Sequence, residues 1–115
     1  MVVNKENGTG MIKAEGIPLV FAADASDLVK KSLVEHIKPE PLKPFTEPAT
    51  VTAGNYGTVK KAYIYTENDK AIGVDLQHVM AGKVGITAVH SIKSSHLSLI
   101  VKPKDVAKYI IEEAK

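Results

Sequence analysis

Residues 60–92, KKAYIYTENDKAIGVDLQHVMAGKVGITAVHSI, decide the fold. The run Lys60–Thr66 is rich in β-formers, and its centre, Ala62–Tyr65, is apolar on both faces, as expected of a strand covered on two sides. A polar tip, Glu67–Lys70, ends it. Val74, Leu76, Val79 and Met80 then trace a short helix over Asp75–Ala81, closed by Gly82, before a second strand over Val84–Ile92. Strand, helix, strand in this order predicts two parallel strands joined by a crossover helix, hence an α/β fold with a short parallel sheet and flanking helices.

Working outward, a polar Ser94-Ser95-His96 turn is followed by Pro103 at a helix start, and Val106, Ala107, Ile110 and Ile111 form the apolar stripe of a terminal helix over Lys104–Ala114. Upstream, Leu28, Val29, Leu33 and Ile37 recur at helical spacing, with Asp24 or Ser26 as N-cap and Pro39 as the stop. Pro41, Pro44 and Pro48 then hold a semi-rigid connector. Residues 1–16, with Asn4, Asn7, Gly8 and Gly10 among mixed charges, read as an irregular lead-in. The chain thus divides into 1–16, 17–54 (helix and Pro-rich connector) and 55–115 (strand, helix, strand, helix). Two strands do not make a self-sufficient parallel sheet. The remainder must come from a strand near Ile17–Ala22, from self-association, or from another polypeptide.

Composition narrows the chemistry. The 115 residues fit one domain, and 15 basic against 13 acidic side chains leave a formal charge of +2, too weak a field to imply a polyanionic partner. Every basic residue is Lys, so the guanidinium fork that reads guanine and grips phosphate is absent, which weighs against nucleic acid. No cysteine is present, which excludes disulfides and thiolate chemistry and makes cytosol the default compartment. The apolar stretch Ile17–Ala23 is far shorter than the roughly 18 residues of a membrane span, and Glu15 and Asp24 spoil IPLVFAADAS as a signal peptide. No HExxH pair occurs, and Gly8 and Gly10 lack the strand before and helix after that a dinucleotide fingerprint needs, so neither a metal nor another cofactor is expected.

In open α/β sheets, functional groups gather in loops at the carboxyl ends of the strands. Two loops qualify here: one places Asp69 after the first strand, the other His96 after the second. A carboxylate reaching an imidazole would hold it in one tautomer and stabilise its protonated form, the orienting half of a nucleophile–base–acid triad. An Asx turn at Asp69 and a helix-capping role for Ser94-Ser95-His96 are the ordinary alternatives. For the remaining histidines the plain readings are a helix-end contact at His36, at His78 an outward position or one on the side of its short helix toward the 17–54 segment, and a strand position at His90.

Three stretches carry a family resemblance. YIYTENDKAIGVDLQHVM (63–80) resembles the acid strand, acid loop and following helix of an α/β-hydrolase, and SSHLSLIVKPKDVAKYIIEEA (94–114) resembles its histidine loop and terminal helix. VFAADASDLVKKSLVEHIKPEPLKPFTEP (20–48) is similar to the end of the lid region in short members. In this order and spacing, over residues 17–115, the chain resembles the C-terminal part of the small esterases related to plant methylesterases and hydroxynitrile lyases. The resemblance implies a catalytic acid at Asp69 and a catalytic base at His96. Leu97 stands where the lyases carry a Lys, so it implies an ester or thioester hydrolase instead.

The family's nucleophile sits in a GxSxG turn that precedes the lid, and this chain contains no such motif and no HG-type oxyanion loop. Ser26, Ser32, Ser91, Ser94, Ser95 and Ser98 lack the flanking glycines of such a turn. The chain alone is therefore expected to be inactive. Three readings stay open: one half of a split or truncated esterase completed by a complementary N-terminal half and then acting on a small ester; a noncatalytic relic or binding module; or a piece begun at an internal Met1.

Overall fold

The computed structural model describes residues 1–115, and its centre is the strand–helix–strand unit predicted above. The elements in chain order are β1 (Val2–Asn4), β2 (Thr9–Met11), α1 (Gly16–Phe21), α2 (Asp27–His36), β3 (Glu40–Pro41), α3 (Lys43–Thr46), β4 (Ala62–Thr66), α4 (Val74–Val84), β5 (Ala88–Ile92), α5 (Ser98–Val101) and α6 (Pro103–Ala114). β4 and β5 pair in parallel, Ala62 opposite Ala88 through Thr66 opposite Ile92. Matched register brings both carboxyl ends to one edge of the sheet. This is the short parallel sheet with flanking helices that the sequence implied.

Several boundaries differ from expectation for identifiable reasons. Gly82 does not close the crossover helix. α4 runs two residues further, and Gly85, at φ 74°, ends it in the left-handed region while the Ile86 amide donates back to the Ala81 carbonyl at 3.0 Å. Val84–Thr87 is accordingly helix end and turn, and the second strand starts at Ala88. The inner face of α4 is also not the one predicted: Gln77 and Ala81 are buried, whereas Leu76, Val79 and Met80 are exposed. The stripe on α6 behaves likewise, with Ile110 and Ile111 exposed and Tyr109 stacked on His90 of β5 at 4.3 Å between ring centroids.

Residues 17–21 lie in helix α1 rather than a strand, with Ala22 as its C-cap, and Ile17 and Ala22 are fully buried. Pro18 lies in its first turn, where the missing amide hydrogen would have had no helical partner. An apolar run this short has no periodicity to separate strand from helix. The lead-in is not irregular: β1 and β2 make a hairpin, turned at Gly8 with φ 66°, and β3 from the proline connector adds a third antiparallel strand. Asn4 Oδ1 accepts the Glu6 and Asn7 amides and closes that turn. Strands of two or three residues are too short to alternate, and with one contributed from 30 residues away they leave little trace in a local pattern. α2 appears as predicted, capped by Ser26, whose Oγ accepts the Val29 amide.

The molecule is open for its size. It exposes 8397 Å² and has a radius of gyration of 16.1 Å, against roughly 6,100 Å² and about 13 Å for a self-contained monomer of this length. No helix is long and apolar enough to cross a membrane.

Candidate active site

The two loops beyond the sheet are joined before any side chain is considered. The parallel ladder continues past the strands, the Glu67 amide donating to the Ile92 carbonyl and the Asn68 amide to the Ser94 carbonyl, both at 3.0 Å. Asp69 therefore emerges beside His96. Its two carboxylate oxygens have different tasks. Oδ1 accepts the Ala71 and Ile72 amides, each at 2.8 Å, which is the Asx turn; Oδ2 accepts the Thr66 hydroxyl and His96 Nδ1–H, also each at 2.8 Å. The turn and the His contact, framed as alternatives from the sequence, are both made by one residue.

The Asp69 side chain is only 3% exposed, against 31% for His96. Burial pushes the Asp69 carboxyl up, but the Ile72 amide, the His96 ring, the Thr66 hydroxyl and the Ala71 amide together outweigh it and hold the group below the ordinary carboxylate range. An ionised carboxylate only accepts, so the bond to His96 requires the proton on Nδ1. The other nitrogen, Nε2, has no hydrogen-bond partner within the protein. His96 lines an open cleft of about 410 Å³ whose walls include Phe21, Leu33, Ile37, Leu97 and Ile100.

Three residues that hold this arrangement escape a sequence reading. Gln77, 1% exposed, accepts the Thr66 amide at 2.9 Å and donates to the carbonyls of Thr66 and Ile72 at 3.1 and 2.7 Å, so one amide clamps both ends of the acid loop. The available signal was a polar residue at helical spacing from Val74 and Ala81, on the buried side of α4. Thr66 orients the acid through its hydroxyl. Asp24 is no cap for α2; its carboxylate accepts the Ser95 amide at 3.0 Å and the Ser95 hydroxyl.

The other candidates are accounted for structurally. Ser95 is committed to Asp24, Ser94 donates to the Ser95 carbonyl, and Ser91 donates to Glu67. His36 contacts the Ser32 carbonyl one turn earlier in α2 through Nδ1, and His78 stacks on Tyr65 at 3.9 Å. His90 meets Glu113 at 2.7 Å, and Lys60, just before β4, bonds the Glu113 carbonyl at 3.0 Å; together they tie α6 to the sheet. No three His, Cys, Asp or Glu side chains are grouped to hold a metal ion.

No family model matches the chain. Norfluorocurarine synthase 2 of Strychnos nux-vomica is 39% identical over 61 residues, 52% of this chain and 23% of that protein. Putative methylesterase 14, chloroplastic, of Arabidopsis thaliana is 31% identical over 80 residues, 69% of this chain and 23% of that protein. Polyneuridine aldehyde esterase of Rauvolfia serpentina is 34% identical over 58 residues, 50% and 22% of the two chains. A crystal structure of polyneuridine aldehyde esterase superposes with a TM-score of 0.86 at 24% identity, covering 97% of this chain and 46% of the other. The chain thus spans about half of that solved structure, and the stretch it shares with the curated relatives is under a quarter of each. In sequence the chain is similar to methylesterase-like proteins, and its fold is that of the C-terminal part of an α/β-hydrolase.

Proposed function

We propose that this chain carries the acid and base of a Ser-His-Asp carboxylic-ester hydrolase, with Asp69 as the acid and His96 as the base, and that the nucleophilic serine and oxyanion donors come from a complementary polypeptide segment bearing the preceding part of the fold. The observation that carries this reading is the 2.8 Å bond from His96 Nδ1–H to the nearly buried Asp69 carboxylate, at adjacent loops beyond two parallel strands.

With Nδ1 protonated, Nε2 is free to take the proton of a serine hydroxyl as its oxygen attacks an ester carbonyl. Asp69 stabilises the imidazolium that forms, and Nε2–H then protonates the departing alkoxide. In the second half, Nε2 draws a proton from water, whose oxygen attacks the acyl-serine, and the proton returns to the serine oxygen. Leu97 beside the base adds no charge that would hold a leaving anion such as cyanide, which favours ester hydrolysis over lyase chemistry. The apolar cleft at His96 suits a small ester with a hydrocarbon face.

Mixing or fusing the chain with a polypeptide that bears the preceding GxSxG part, and following p-nitrophenyl butyrate hydrolysis, tests the proposal. Activity should require both parts and fall by about 10³-fold or more in His96→Ala, while the chain alone stays unlabelled by a fluorophosphonate. Restored hydrolysis that is indifferent to His96→Ala, or stoichiometric labelling of the chain alone, would overturn it.

A further inference from the structure

His96 is held at one side by Asp69, and something must also fix the height and direction of its backbone. The residues on either side of it, Ser95 and Leu97, are tied to the α1–α2 turn and to the end of α1. Asp24 Oδ2 accepts the Ser95 amide at 3.0 Å, Oδ1 accepts the Ser95 hydroxyl, and the Phe21 carbonyl accepts the Leu97 amide at 3.0 Å. Ser95 is 1% exposed, so its two donors have no water to turn to and depend on this carboxylate. Asp24 does nothing for its own helix, because Ser26 is the cap of α2. Phe21, the last residue of α1, also sets its ring centroid 5.5 Å from that of the imidazole.

We propose that Asp24 is a positioning residue for His96: it spends both oxygens on Ser95 so that the α1–α2 turn, which follows the cleft-lining Phe21, and the histidine loop move as one body. Loss of the carboxylate frees Ser95 between the ladder bond at Ser94 and the anchor at Leu97, so the imidazole swings relative to Asp69. The electrostatics agree: burial pushes the Asp24 carboxyl up, yet the Ser95 hydroxyl and amide, with Asp24's own amide and the charge of Lys102, together keep the group below the ordinary range. This inference deepens the proposed function and rests on His96 as its base, but its test needs no catalysis.

Proton and nitrogen NMR of the full chain, labelled at histidine, reads the His96 Nδ1–H that donates to Asp69. In the unsubstituted chain this proton should resonate at low field and exchange slowly. Asp24→Ala should broaden it beyond detection or raise its exchange rate about tenfold or more, and Asp24→Asn, whose carbonyl still accepts the Ser95 amide, should restore most of the signal. Ser26→Ala, which removes only the α2 cap, serves as the control for general loosening and should leave the resonance in place. Should Asp24→Ala fail to fold, Ser95→Ala breaks the hydroxyl bond alone and should raise the exchange rate in the same direction. An unchanged resonance in the folded Asp24 or Ser95 variant, or an equal loss in Ser26→Ala, would overturn the proposal. An inactive reassembled enzyme with the resonance behaving as expected would count against the esterase reading alone.

Discussion

Replacing Val79 by Asp places a carboxylate on the outer side of α4, where Leu76, Val79 and Met80 are 53%, 51% and 42% exposed. On a closed monomer such a surface change stays within about ±0.5 kcal/mol. The surface area argues that this face is not meant to remain in water. The chain exposes 8397 Å², where a monomer of its mass would expose roughly 6,100 Å², leaving an excess of ~2,300 Å². As one partner's share it corresponds to a total of roughly 4,600 Å², within the roughly 2,000–5,000 Å² of permanent interfaces, and β4 and β5 each keep an unpaired outer edge. A carboxylate buried there without a partner costs several kcal/mol, which weakens association by about 10² to 10³-fold. We expect the unsubstituted chain to associate, with itself or with a complementary hydrolase half, and Val79→Asp to shift it toward monomer. Equilibrium sedimentation from about 0.1 to 100 μM, with a denaturant melt at each end, measures both effects. A cooperatively unfolding monomer with no concentration dependence, unaltered by Val79→Asp, would refute the reasoning and show that these residues close their own core.

Asp69→Asn in the reassembled enzyme should lower kcat by about 10⁴-fold with little change in KM, because an amide can hold the ring in the wrong tautomer; a tenfold effect or less on kcat would exclude Asp69 as the orienting acid. Gln77→Ala strands the Thr66 amide and the Ile72 carbonyl in a buried site, and urea melts should show a loss of about 2–4 kcal/mol at unchanged slope. Gly85→Ala meets no neighbouring atom within 4 Å, so only its left-handed backbone is penalised and the melt should report a loss of about 1 kcal/mol. Asp24 and Asp69 are both held below the ordinary carboxylate range, so the stability each contributes is complete above the unfolded value of about 3.9 and is lost as pH falls through the lower folded values. Thermal midpoints across that acid window should therefore fall, and Asp69→Asn should flatten the fall; a variant as steep as the parent would contradict this.

The sequence by itself determined the order of β4, α4, β5 and α6, the parallel pairing, and the placement of Asp69 and His96 in loops on one edge, because hydrophobic period and turn residues are local properties of the chain. It also carried the likeness to methylesterases, since the residues around both loops are contiguous in the chain. Only the tertiary structure decided the rest. Ile17–Phe21 is helical, and the burial of Ile17 and Ala22 comes from packing rather than from any pattern within the run. The β1–β2–β3 sheet depends on a partner strand distant in sequence. Which side of α4 and α6 turns inward was set by what lies beneath, so Gln77 is buried while Leu76 and Ile110 are not. Asp24 reaches Ser95 across 71 positions, and no local reading of hydrophobicity or spacing contains a hydrogen bond that exists only once the chain has closed that loop.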